Sequence, residues 1–178
     1  MRIAVSACLL GEQCKYNGGS NCNDELIEAL RVWGHEVIPV CPEVAGGLPI
    51  PRPRAEIRAG EVVNEFGESV DAAFRAGAKA EFRRIEEAGG VDLAVLQPRS
   101  PSCGVDTVYD GTFTGKLVPG DGVFVQLLRK REIPVVAADK LQLAVLGPRT
   151  SARASTVSPE CRYMSADDAG TRVWVSRD

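Results

Sequence analysis

Four short apolar runs recur along the chain, at about residues 2–7, 36–40, 92–97 and 133–137, each rich in Val, Ile and Leu. Their length and β-branched content predict β-strands. Longer stretches with helical spacing lie between them. Leu26, Ile27, Leu30 and Val32-Trp33 mark a helix that Asn23 or Asp24 can cap and Gly34 stops. Ala72-Ala73-Phe74, Ala76-Gly77-Ala78, Phe82 and Ile85 mark a second, from Val70 to about Ala88, ended by Gly89-Gly90. Pro119-Gly120-Asp121-Gly122 opens a third, with Val123-Phe124-Val125 and Leu127-Leu128 as its apolar side. Glu56-Ile57-Arg58 and Glu61-Val62-Val63-Asn64 flank Ala59-Gly60 as a small hairpin. Residues 11–23, 41–54 and 98–118 read as loops. The second is too rich in proline and glycine to continue a helix or a central strand.

Strands alternating with helices predict an α/β fold, a three-layer sandwich on a mainly parallel sheet with helices on both faces. After about Lys140 the pattern weakens, and only Thr171-Arg172-Val173-Trp174-Val175 reads as a last edge strand. Residues 1–140 are therefore expected to form one α/β domain. Residues 141–178 are an extension with too few apolar positions to form a core of their own.

Three cysteines change the picture. Cys8, Cys41 and Cys103 each fall just beyond a predicted strand. The carboxyl ends of parallel strands form one rim, where α/β proteins bind their ligands. Thiols far apart in sequence are thus expected to converge there. The chain is long enough, and apolar enough at 44%, to fold without disulfide staples. No signal pattern opens it and no apolar run is long enough to span a membrane, so the expected location is the cytoplasm. In a reducing compartment the six cysteines point to metal binding or catalysis. A net charge of −3 gives no reason to expect nucleic-acid binding.

The single histidine, His35, eliminates multi-histidine zinc sites and facial iron triads. At a predicted helix C-terminus it is better explained by the helix dipole than by catalysis. A zinc site that adds Cys14 to the trio is the main metal alternative, but it lacks the close Cys-x-x-Cys pair that structural zinc favours. A small-molecule binding module of unknown activity, with a cysteine zinc site or no metal, therefore stands as the alternative to an enzyme. Cys14 and Cys22 read as loop bystanders and Cys161 as irrelevant. Gly18-Gly19-Ser20 and the Gly120 turn match no nucleotide fingerprint. Arg129-Lys130-Arg131 reads as a solvated helix end.

Several motifs occur in order: Ser6-Ala7-Cys8-Leu9-Leu10-Gly11, Cys14-Lys15-Tyr16-Asn17-Gly18-Gly19, Val40-Cys41-Pro42-Glu43-Val44, Gly46-Gly47-Leu48-Pro49, Arg52-Pro53, Glu56, Arg99-Ser100-Pro101-Ser102-Cys103-Gly104, Tyr109-Asp110-Gly111 and Pro119-Gly120-Asp121-Gly122. Over roughly residues 1–138 the chain resembles the small bacterial thiouracil desulfidase family. The resemblance implies a 4Fe-4S cluster held by Cys8, Cys41 and Cys103 with one iron open. It implies desulfuration of a thiolated nucleobase, 2-thiouracil to uracil in type, whose sulfur binds that iron. Glu43 and a serine beside the third cysteine, Ser100 first and Ser102 second, would assist hydrolysis. Ser6, Lys15, Tyr16, Arg52, Gly120 and Asp121 are the expected substrate contacts. A small thiolated base and a second copy of the chain are the expected partners.

The chemistry agrees with this. Thiolates are soft donors suited to iron–sulfur clusters. An open iron is a Lewis acid for a soft thiocarbonyl sulfur, and polarising C=S exposes its carbon to water. Glu43 lies two residues from Cys41, so the sequence itself brings it near as a general base. Hydrolysis of this kind needs no net electron transfer.

Overall fold

The computed structural model describes residues 1–147; Cys161 and the expected strand 171–175 lie outside the described residues. Four parallel strands form the central sheet: β1 (Arg2–Ser6), β2 (Glu36–Val40), β5 (Leu93–Leu96) and β8 (Val135–Ala137), in the order β2-β1-β5-β8. Ile3 of β1 stands opposite Val37 on one side and Leu93 on the other, and Ala94 of β5 opposite Val135. The chain runs outward from β1 to β2 and later crosses back to β5. That reversal of direction between β1 and β5 is where a parallel sheet opens a crevice at its carboxyl edge.

Strand side chains alternate between the two faces. Ala4, Ile38, Val40, Ala94 and Leu96 face a layer built from Phe74, Phe82 and Ile85 of α3 (Asp71–Glu87) and Phe124 and Leu128 of α4 (Val123–Lys130). Ile3, Val5, Val37 and Val95 face Leu26, Ala29 and Leu30 of α1 (Asp24–Val32). The three-layer sandwich is the architecture the hydrophobic pattern predicts. Asn23 caps α1, its side chain accepting from the Leu26 N–H at 3.0 Å. Packing against the α1 layer continues as far as Leu146, which is 1% exposed. His35 sits there as well. Its Nε2 lies 2.8 Å from the Leu146 carbonyl and its Nδ1 3.4 Å from the chain's amino terminus, so it fastens the core rather than serving a site.

Two segments expected as loops carry structure. Residues 41–54 open with a short helix, α2 (Pro42–Ala45). Proline is excluded from helix interiors but suits the first turn, where its missing N–H has no partner to lose. The 98–118 loop contains β6 (Thr107–Tyr109), paired with β7 (Leu117–Pro119). The expected hairpin of β3 (Ala55–Arg58) and β4 (Glu61–Asn64) also forms, and the two hairpins, each a sheet of its own, meet through β3 and β6. No helix among the described residues is long and apolar enough to cross a membrane.

Candidate active site

Each cysteine of the trio is delivered by a strand end and fixed by a different neighbour. β1 runs into a single 3-10 turn, Ala7–Leu10, which carries Cys8 and ends at Gly11 with φ +92°. Cys41 is the residue preceding α2, and its N–H donates to Oε1 of Glu81 on α3 at 2.8 Å. The α2 turn is seated on α3 at Gly77, where a Cβ would meet the Pro42 carbonyl oxygen at 1.7 Å. Only glycine permits that approach.

Cys103 lies in the loop after β5. The first N–H groups of α4 hold this loop from behind. Gly122 donates to the Gly104 carbonyl, Val123 to that of Pro101 and Phe124 to that of Ser102, at 2.8 to 2.9 Å. Gly122 also has no room for a side chain, since a Cβ would come within 2.4 Å of the Ser102 carbonyl oxygen.

The convergence expected from sequence is realised. Cys8, Cys41 and Cys103 line one cavity of about 440 Å³ at the carboxyl edge of the sheet. Ser6, Lys15, Tyr16 and Arg52 line it too, as do Glu43, Ser100 and Ser102. Gly120 and Asp121 do not, which corrects the expectation that they touch substrate. Asp121 accepts from the Asp106 N–H at 2.9 Å and pairs with Arg129 at 3.1 Å, so this turn braces the Cys103 loop from outside the cavity.

Cys14, expected to be a loop bystander, belongs to the cavity lining. It is 7% exposed and lines the cavity with Cys8 and Cys41, and its carbonyl oxygen lies 3.9 Å from the Cys41 sulfur. The signal was its position: Cys14 directly precedes Lys15 and Tyr16, already assigned to the cavity. Gln97 was also missed. Its side-chain oxygen lies 3.9 Å from the Cys8 sulfur, and its N–H donates to the Ser6 hydroxyl at 2.9 Å.

The carboxylate of Glu43 is tied at both oxygens. Oε2 receives Nε and Nη2 of Arg52 at 2.7 and 2.6 Å. Oε1 accepts from the Ser102 hydroxyl at 2.8 Å. The Ser100 and Ser102 hydroxyls are 2.9 Å apart, and Ser100 Oγ also accepts from the N–H groups of Ser102 and Cys103, both at 3.1 Å. The outer wall of the cavity belongs to the two hairpins. There the buried Glu56 accepts from the N–H groups of Gly111 and Phe113, both at 3.0 Å, and so clasps one hairpin to the other.

Three of the thiols are held above the ordinary thiol range. Contact with the Cys41 thiol pulls the Cys14 thiol down, but contact with Cys8 and burial outweigh it and push Cys14 up to about 12. Burial, offset in part by hydrogen bonds from Ser6 and Ser102, pushes Cys103 up to about 12. Contact with Cys14, followed by burial, raises Cys41 as well. Soft metal ions reverse this by taking the place of the protons.

The donor set fits an iron–sulfur cluster. Cys8, Cys41 and Cys103 are free thiols, each on a separate strand end, around a cavity wide enough to admit a ligand beside them. A four-iron cluster takes thiolates on separate irons.

Comparison with known proteins agrees with this geometry. Residues 3–140 match the model of the family described as 2-thiouracil desulfurase. Among solved structures, the chain is similar to the [4Fe-4S]-dependent thiouracil desulfidase TudS, with a TM-score of 0.72 and 41% identity over 79% of this chain and 92% of that one. The uncharacterized protein YbbK of Bacillus subtilis (strain 168) is 35% identical over 149 residues, covering 78% of this chain and 97% of YbbK.

Proposed function

Since the chain belongs to the 2-thiouracil desulfurase family, we infer that it is an iron–sulfur desulfidase that hydrolyses the C=S bond of a thiolated pyrimidine base. The base and water give the oxo base and hydrosulfide, with no change of oxidation state. The observation that carries this reading is the conjunction of three strand-end thiols with the Glu43–Ser102 hydrogen bond of 2.8 Å in one cavity.

Cys8, Cys41 and Cys103 are the proposed ligands of a 4Fe-4S cluster. Bound iron supplies Lewis acidity toward the soft thiocarbonyl sulfur, which makes the attached carbon electrophilic. Glu43 then acts as the general base. With Oε2 occupied by Arg52, Oε1 is the oxygen that takes a proton from water entering the cavity. Positioned bases of this kind contribute on the order of 10²–10⁴ in rate.

Hydrogen-bond capacity separates the two serines. A hydroxyl offers one donor and two acceptor positions. Ser100 fills both acceptor positions with backbone N–H groups, so its work is to shape the Cys103 loop. Ser102 donates to Glu43 Oε1 and accepts from Ser100. The reading therefore pairs Ser102, not Ser100, with Glu43. Lys15 and Tyr16, on the first loop, are the proposed contacts to the base.

The test is anaerobic reconstitution with iron and sulfide, followed by conversion of 2-thiouracil to uracil with release of hydrosulfide. Glu43→Ala is expected to keep wild-type iron and sulfide content and to lose turnover by about 10²–10⁴. A wild-type protein that takes up only zinc would overturn the reading. Full turnover in Glu43→Ala would remove the base from it.

A further inference from the structure

Arg52 looks from sequence like an anion-binding residue, because its guanidinium lies on a stiff proline-flanked loop beside the cysteines. Its surroundings assign it other work. The side chain is 5% exposed, and its nitrogens are directed at the protein rather than at open cavity. Nε and Nη2 hold the single oxygen Oε2 of Glu43, Nη2 also donates to the Cys14 carbonyl at 2.9 Å, and Nη1 reaches the Pro49 carbonyl at 3.3 Å. The Arg52 N–H donates to the Tyr16 carbonyl at 2.7 Å.

We propose that Arg52 is a positioning residue for the Glu43 carboxylate, and that the same guanidinium locks the Cys14–Tyr16 loop to the loop that follows Cys41. The inference rests on Glu43 acting in the reaction.

Two features of the contact carry it. First, the pairing is one-sided. Two of the three guanidinium nitrogens, Nε and Nη2, converge on Oε2, which leaves Oε1 turned toward Ser102. Second, two further donors go to carbonyls of two separate loops, Nη2 to Cys14 and Nη1 to Pro49. A rigid planar fork can satisfy a carboxylate and two carbonyls at once, whereas the ammonium of lysine is a point charge on a flexible stem. Lysine at this position preserves the charge but not the geometry. Four of the five guanidinium N–H donors are engaged in these bonds.

The experiment is steady-state desulfuration of 2-thiouracil by the reconstituted holoenzyme, with iron and acid-labile sulfide measured on every sample. Arg52→Lys is expected to lower kcat about 10- to 100-fold, the loss typical of a misplaced reacting group, with KM within a factor of about two and wild-type iron content. Arg52→Ala is expected to lose more, and millimolar guanidinium is expected to restore part of kcat, because the ion can re-enter the vacated site beside Glu43. In a Glu43→Gln background Arg52→Lys should add no further loss, since residues acting through one another are not additive.

A raised KM with unchanged kcat in Arg52→Lys would make Arg52 a substrate contact and overturn the proposal. Loss of iron in Arg52→Lys would overturn it in favour of a scaffold role, and a full additional loss in the Glu43→Gln background would do the same. If instead the wild type turned over no thiocarbonyl compound, the functional reading would fail before Arg52 was tested. The two failures are thus distinguishable.

Discussion

Ser100 and Ser102 are two residues apart and share a hydrogen bond, yet their remaining partners give them opposite tasks. Replacing Ser102 by Ala removes the hydroxyl that donates to Glu43 Oε1. The expected result is an iron-replete enzyme whose kcat per iron falls at least about tenfold, within the range of acid–base contributions. Replacing Ser100 by Ala releases the N–H groups of Ser102 and Cys103, costs about 1 to 3 kcal/mol of stability, and lowers iron occupancy while kcat per iron holds. Iron-normalised kcat and thermal melting separate the two. A Ser100→Ala enzyme that keeps its iron but loses turnover would exchange the roles. Residue-scale chemistry was legible only where sequence distance is spatial distance. Glu43 could be placed because Cys41 is two residues away. The engagement of Arg52 with Cys14 could not, since it depends on two loops meeting. Asp121 misled because its turn lies close in sequence to the Cys103 loop but braces it from the far side.

The elements that matter most to the site are those that press on its loops. In Gly77→Ala the new methyl would stand 1.7 Å from the Pro42 carbonyl oxygen. That is backbone against backbone, so no rotamer relieves it and α2 must move off α3. Overpacking of this kind costs about 1–3 kcal/mol or more. Because Cys41 is the residue that starts α2, the variant is expected to melt lower and to bind iron less completely. An unchanged melting temperature would show that α2 is not held in this way. The long elements were legible from periodicity. α1, α3, α4 and the four parallel strands all lie within two residues of their predicted spans. The β6–β7 hairpin was not, because strands of three residues are too short to show alternation. α2 was hidden by its proline, which signals loop more strongly than it signals a helix start.

For the whole molecule, buried thiols tie stability to pH. Cys14 and Cys103 are pushed up to about 12 in the fold, whereas an unfolded thiol titrates near 8.5. Between those values the folded state binds more protons than the unfolded one, so stability declines as pH rises. The cluster-free protein is expected to be at full strength below about pH 8.5 and to melt progressively lower as pH climbs toward 12. A Cys14→Ala/Cys103→Ala double variant should show a shallower decline. Identical slopes for the two proteins between about pH 8.5 and 10.5 would count against the buried thiols as its source.

The sheet and its hairpins also divide labour. The proposed ligands and the proposed base stand on segments that follow core strands, while the outer wall is a pair of hairpins clasped together by Glu56. Insertions or substitutions in those hairpins would alter which molecules are admitted without disturbing the groups that react. An ancestor with this layout could change its diet of thiolated compounds by recutting the wall alone, which makes the fold a ready starting point for directed evolution of desulfurating enzymes.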